Sequence, residues 1–365
     1  PPPPLFHAEE GIRDCTRSLV GSEMCIRDRG GGPGHGRGAG GGGMPADFQD
    51  KIHQLFAHPE KIRRTVDITA EGYVARTTTT DPELAEALQI HVRQMSGRLA
   101  EGSPVRRWDP AFGEFFDRYD QMEHEFKNLK KGVRAKVTAE GDEGIAAAHN
   151  HAYIILDFSS QGERQMHQPH RTVLDEDGGE ANRFRGGPPD ARAAKLAKTF
   201  GVRAEEASAE LMKTLGGQLK AAMKAGGPEA ALPVCKAAAI PLTKGVTEGH
   251  EGLTITRVTD RLRNPDNAPD KADLRALEHF KKAKPEPQLL AHLTTGADGK
   301  TLRYYKPLIA NETCLKCHGD RDTMSEKLRG LIDEHYPDDK AHGYSIGDLR
   351  GLIRVEQKPA NGKAE

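Results

Sequence analysis

Long apolar runs are missing from this 365-residue chain. No stretch approaches the roughly 18 consecutive apolar residues that a membrane-crossing helix needs, so no transmembrane helix is expected. An excess of charge of one sign is missing too: 53 basic side chains face 54 acidic ones, a formal charge of −1. A general nucleic-acid binder would show a basic surplus, and that class is set aside. Aromatics make up 5%, with a single tryptophan, Trp108. Five cysteines are an odd count and supply no disulfide framework. Glycine (40) and proline (23) are plentiful, but they are gathered in a few tracts, leaving ample chain for two or three packed domains.

The first such tract is terminal. The opening PPPP cannot donate backbone hydrogen bonds and starts no domain. Residues 8–29 resemble the translated product of sequencing-adapter read-through, on the strength of SLVGSEMCIRD, and a disordered polar tail is the alternative. Residues 30–43, GGGPGHGRGAGGGG, are a flexible glycine tract. With residues 1–43 excluded, Cys15 and Cys25 drop out, and Cys235, Cys314 and Cys317 remain.

Residues 44–170 read as a duplicated helix-strand-helix domain. Phe56 matches Phe116, Gly72 matches Gly132, His91 matches His151 and Gly102 matches Gly162, all at one offset (132−72 = 151−91 = 60). Leu55, Ile62 and Val66 have helical spacing, and Tyr73, Ala75 and Thr77 alternate as a half-buried strand does. Asp81-Pro82 caps a helix whose stripe of Leu84, Leu88, Met95 and Leu99 includes His91. His151 lies likewise on the apolar side of its helix, between Ala148 and Ile155. Two equivalent histidines can meet across a pseudo-twofold axis and share a metal or haem iron; two core histidines bonded to backbone carbonyls are the plainer reading. His149, His167 and His170 are candidates for a surface metal site, without diagnostic spacing.

Residues 171–190 are polar, Gly/Pro-rich and aperiodic, and read as a linker to a second domain over 191–358, with a tail at 359–365. Leu211, Leu215, Leu219 and Met223 predict a helix ended by Gly226-Gly227. Pro228 opens the next, in which Ala231, Cys235 and Ala239 share a face of small residues. Strands are predicted at 253–258, 289–295 and 301–309, and a helix near 270–282.

Chemistry concentrates in Cys314-Leu315-Lys316-Cys317-His318. Thiols three positions apart can each add to a vinyl group of one haem, and the adjacent imidazole then lies under the iron as proximal ligand. Three other readings stand beside this one. A thioredoxin-like pair would require a βαβ context, which is absent. A zinc site could draw on Cys235, Cys314, Cys317 and one histidine, although there is no second CxxC. A surface CxxCH by chance is the third.

From about 205 to 357 the chain resembles the Tll0287-like domain family. The resemblance is carried by LGGQLKAAMKAGGPEAALPVCKAAA, RLRNPDNAPD, YYKPLIANETCLKCHG and, most specifically, HYPDDKAHGYSIGDLRGLIRVE, in that order. It implies one covalent haem c on Cys314 and Cys317, with His318 on the iron and Cys235 as an unusual second axial ligand; a small buried hydrophobe is the plain reading of Cys235, in which case His342 or an N-terminal histidine is the better candidate ligand. It also implies a PAS-like mixed α/β fold, giving an α+β class for the whole chain. The expected function is redox or ligand sensing, or electron transfer, outside the cytoplasm, with a redox protein or a small gaseous ligand as partner. Two protein ligands leave no open position for a substrate, which favours a non-enzymatic role. A haem oxidoreductase with a second centre at His91 and His151, and a structural zinc module, are the alternatives.

Overall fold

The protein, as a computed structural model, is described over residues 46–101, 105, 106, 108–165, 167–174, 197–283 and 289–359. Residues 1–43, the linker beyond Leu174 and the tail beyond Pro359 lie outside the described residues.

Proline and β-branched residues decide how the fold begins. Helix α1 (Ala46–Ala57) stops short of Pro59, which opens a 3-10 turn (Pro59–Lys61). Strand β1 (Ile62–Thr69) follows and turns back as β2 (Gly72–Thr79). The helical reading of Ile62 and Val66 is therefore corrected: both are buried on β1. A spacing of four is even, so it satisfies a strand's period of two as well as a helix's. Each unit is thus a helix, a hairpin and a helix. After α2 (Pro82–Ala100) and α3 (Pro110–Asp117), the pattern returns as β3 (Met122–Leu129), β4 (Gly132–Ala139) and α4 (Gly141–Gln161). Every strand boundary is displaced by 60 residues (62 to 122, 72 to 132).

The two hairpins join through β2 and β4, where Ala75 faces Ala135 directly, two residues that are themselves 60 apart. Gly72 and Gly132 have φ near +146° and +147°. A Cβ on Gly72 would stand 2.2 Å from the Val137 carbonyl oxygen, and one on Gly132 2.0 Å from that of Thr77. Only glycine permits both this backbone conformation and this approach.

Helix α5 (Phe200–Gly249) is broken at Gly226 and Gly227, the latter at φ 71°. Its two limbs fold back on each other, since His250 Nε2 lies 2.9 Å from Glu210 Oε2 and Arg203 donates to the Glu251 carbonyl. Then come β5 (Thr254–Val258), α6 (Lys271–Lys282), β6 (Leu289–Thr295), β7 (Leu302–Ile309), α7 (Glu312–His318), α8 (Glu326–His335) and β8 (Leu349–Gln357).

The eight strands of the described residues form one antiparallel sheet, ordered β3-β4-β2-β1-β6-β7-β8-β5. The fold is mixed α/β, of the α+β class. The main core contains side chains from α2, α4 and α5 together with Val66, Tyr73, Leu293 and Tyr304 of the sheet. Tyr305, adjacent to Tyr304 and so on the opposite face, enters a smaller cluster under α6 with Ala276 and Leu277. Its hydroxyl donates to buried Asp273 at 3.0 Å. Helix α4 locks onto the start of α5: Asp157 accepts from Phe200 N at 2.9 Å, and Gly201 lies against the Tyr153 ring. No helix among the described residues is long and apolar enough to cross a membrane.

Candidate functional site

Asn311 starts α7. Its side-chain oxygen accepts from the backbone N–H groups of Thr313 (3.0 Å) and Cys314 (3.2 Å), satisfying two orphan donors of the first turn. One face of this short helix, Thr313, Cys314, Cys317 and His318, lines a cavity of about 430 Å³. Leu315 packs behind it with Ala310, Ala341 and Tyr344. The volume lies within the ~300–1,000 Å³ typical of small-molecule and cofactor sites.

The opposite wall comes from α5. Leu215, Leu219 and Met223 of its first limb and Ala231, Cys235 and Ala239 of its second line the same cavity. The break at Gly226-Gly227 thus brings residues from both limbs to one space, and Cys235 shares that space with the motif some eighty positions later. The second limb is held by Leu232, which packs on Met324, Leu328 and Ile332 of the α8 region, and by Glu229, which accepts from Ser325 Oγ at 2.6 Å. Most of the lining is apolar, with Lys236, Arg257, Arg263 and Arg350 as its cations.

Backbone contacts fix His318. Its Nδ1 lies 2.6 Å from the Ala341 carbonyl oxygen, so Nδ1 carries the proton and Nε2 keeps its lone pair. Burial, helped by the Arg350 and Arg263 guanidiniums, holds this imidazole well below its usual range, so it is neutral. The carbonyl is itself positioned. Arg263 makes a two-pronged pair with Asp339 (3.1 and 2.9 Å) and donates to the Cys317 carbonyl at 2.8 Å. Asp339 accepts from Ala341 N at 2.9 Å. Tyr344 N and Gly343 N close onto the carbonyls of His318 (3.0 Å) and Gly319 (2.7 Å). The segments RLRNPDNAPD and HYPDDKAHGY therefore meet around the end of α7.

The three thiols are half-buried and free of disulfides. Burial pushes Cys235 and Cys317 up, and Arg263 opposes this at both; Arg257 adds to the opposition at Cys235. A tetrahedral zinc site needs donors roughly 3.3–3.8 Å apart. Among the described residues, only Asp67, His279 and His292 bring three possible ligand atoms within 4.8 Å of one another. The cysteines and His318 share a cavity without forming such a cluster.

His91 and His151 line one cavity of about 60 Å³ in the N-terminal half, with Tyr73, Arg64 and Phe158. That space suits a few waters rather than a macrocycle. His151 stacks on Phe115 at 4.1 Å and lies 3.2 Å from the Tyr73 hydroxyl. Burial lowers both imidazoles, His91 to about 3. His149 lies 3.0 Å from the Thr69 and Gly72 carbonyls at the β1–β2 turn. His170 engages Asp109 (2.7 Å) and Gln165 (3.1 Å) through its two ring nitrogens. His167 is exposed. These three are not brought together. His342 is not among the residues lining the α7 cavity.

Arg263, Asp339 and Ala341, which act on α7 from 54, 22 and 24 positions away from Cys317, lie inside the segments that carry the family resemblance, but nothing in those segments singles them out. No sequence pattern flagged Asp67, His279 and His292, which belong to three separate elements.

No curated protein matches the chain significantly. Among solved structures it is similar to the crystal structure of the cyanobacterial heme-protein Tll0287, with 25% identity over 48% of this chain and 98% of that one, and a TM-score of 0.35. The family model described as Tll0287-like matches residues 143–357, reaching back beyond 205 into α4, the helix that locks onto α5. That match spans more than half of the sequence, and the chain belongs to the Tll0287-like family.

Proposed function

We propose that this chain is a c-type haem protein, with one haem joined through thioethers to Cys314 and Cys317, His318 on the iron through Nε2, and Cys235 as the second protein ligand. The observation that carries this reading is the 2.6 Å contact of His318 Nδ1 with the Ala341 carbonyl, beside two thiols that line an apolar cavity. It leaves a neutral Nε2 free, as a metal-bound histidine requires. A haem held there supplies an iron centre for one-electron transfer or for exchange of a small ligand. Arg257, Arg263 and Arg350 offer guanidiniums to carboxylates at the cavity wall.

Cys235 points the role toward sensing rather than carriage. Burial holds its thiol above the usual range against the pull of Arg257 and Arg263, so the unliganded residue is a neutral thiol. A carrier gains from unchanged ligation in both redox states. A redox- or ligand-responsive switch gains from a ligand that can let go. In this reading β5–β8 with α7 form a PAS-like unit and residues 44–170 a duplicated one, supported by the 60-residue displacement of strand boundaries. The protein works outside the cytoplasm, where thioether attachment takes place in most bacteria.

The test is expression with cytochrome c maturation factors, followed by haem staining of a denaturing gel. Thioether-bound haem stays with the wild-type band and is lost in Cys314→Ala/Cys317→Ala. A colourless wild-type product from a maturation-competent host refutes the reading.

A further inference from the structure

On the seam where the hairpins meet the C-terminal strands, Asp67 of β1 stands directly opposite His292 of β6. His292 Nδ1 lies 2.7 Å from Asp67 Oδ1, and His279 Nε2, arriving from α6, lies 2.9 Å from the same oxygen. The two rings are 4.6 Å apart between centroids. We propose that Asp67, His279 and His292 form a three-ligand site for a divalent first-row cation such as zinc, which clips the β1–β6 seam to α6.

Donor type comes first: two imidazoles and one carboxylate are a set that zinc and its neighbours accept, with water completing the shell. Spacing comes second. Bonds of about 2.1 Å to nitrogen and oxygen donors held 2.7 and 2.9 Å apart enclose angles of about 80° and 87° at the ion. Those are close to the angles of adjacent corners of an octahedron, whose remaining corners water can fill; the tetrahedral spacing would require both rings to move outward by about 0.5–0.7 Å. Charge comes third. Asp67 carries the site's one anionic ligand; its outer oxygen lies 3.6 Å from Arg76, which steadies the carboxylate from behind. Access is the last requirement. The Asp67 and His292 side chains are each 13% exposed, whereas His279 is 36% exposed and opens the site to solvent. The three residues lie on three elements 212 to 225 positions apart from Asp67, so an ion here fastens structure that is distant in sequence. The site does not depend on the haem reading, because none of its residues lines the α7 cavity.

The experiment uses the untagged full-length chain, stripped with EDTA, dialysed, and titrated with Zn²⁺ by calorimetry. The expected result is one Zn²⁺ per chain, with binding weakened roughly 100-fold or more in His279→Ala and in His292→Ala. His279 is the most exposed member, so His279→Ala should retain the wild-type far-ultraviolet circular dichroism and serves as the folded control. The chain carrying Cys235→Ser, Cys314→Ala and Cys317→Ala should still take up one Zn²⁺, which separates this site from the thiols. Absence of one-to-one uptake would mean that the triad is a hydrogen-bonded latch. Uptake that survives His279→Ala, or that disappears only with the cysteines, would place the ion elsewhere. Either result overturns the proposal.

Discussion

Arg263 is where the structure makes its most exposed bet. The guanidinium and the Asp339 carboxylate are 9% and 1% exposed and share two hydrogen bonds, while Arg263 also holds the carbonyl at the end of α7. Arg263→Met keeps the apolar stem and removes the charge. It leaves Asp339 buried with only Ala341 N as a hydrogen-bond donor. Breaking a buried pair from one side costs about 3–5 kcal/mol. Adding Asp339→Asn removes the stranded charge, and what remains is the lost support of the Cys317 carbonyl, about 1–2 kcal/mol. In urea unfolding the double variant should therefore be roughly 2–3 kcal/mol more stable than Arg263→Met alone. The sign with pH is also fixed. In the wild type, burial raises the Asp339 pKa but Arg263 wins and holds it below the usual carboxylate range. Its stabilising share is present above the unfolded value of about 3.9 and is lost as pH falls through the folded one. In Arg263→Met the burial effect stands nearly alone, so the folded pKa rises above the unfolded one and the carboxylate opposes folding at neutral pH. The stability gap between variant and wild type should then narrow from pH 7 to pH 5. A variant within 0.5 kcal/mol of wild type (roughly the scatter of such measurements), or a gap that stays constant with pH, would refute the reasoning.

Gly132→Ala sets a Cβ against the Thr77 carbonyl at φ near +147°, and should cost about 3 kcal/mol or more in urea unfolding, far above an ordinary glycine-to-alanine change. Gly97→Ala on α2, where a Cβ meets nothing within 4 Å, is the control and should be neutral or stabilising. Cys235→Ser should keep covalently attached haem while altering the Soret band and the oxidised-state spin resonance spectrum; two unchanged spectra would make Cys235 a packing residue.

What could be read from the sequence was what is local. The strands at 289–295 and 301–309, the helix at 270–282 and the break at Gly226-Gly227 follow from short-range propensity and punctuation, and the described elements lie within a residue or two of them. The first hairpin is ambiguous in the sequence because Ile62 and Val66 fit both periods; Pro59 and the β-branched residues after it decide for the strand. CxxCH announces itself because its chemistry is confined to one turn of α7. The groups that prepare His318 do not, since Arg263, Asp339 and Ala341 reach it through loops of no regular period. They were inside the motifs that carry the family resemblance, but nothing in a single sequence separates a residue that braces a helix from its neighbours.

The metal triad lies beyond even that. His279 is the i+6 residue of Asp273 on α6, and His292 is a residue of an ordinary alternating strand; neither spacing means anything alone. Only the β1–β6 register, joining residues 225 positions apart, puts Asp67 opposite His292 and under His279. The same register joins the hairpin pair to the strands that carry the α7 cavity. If an ion ties that seam, the N-terminal half is held to the half that carries the α7 cavity by β1, β6 and α6 together, and loosening the clip should be felt along β6 and β7 before it reaches β5. Hydrogen exchange with and without Zn²⁺ measures this directly: protection should rise at β1 and β6 and be least changed at β5. Uniform protection, or none, would separate the ion from the seam.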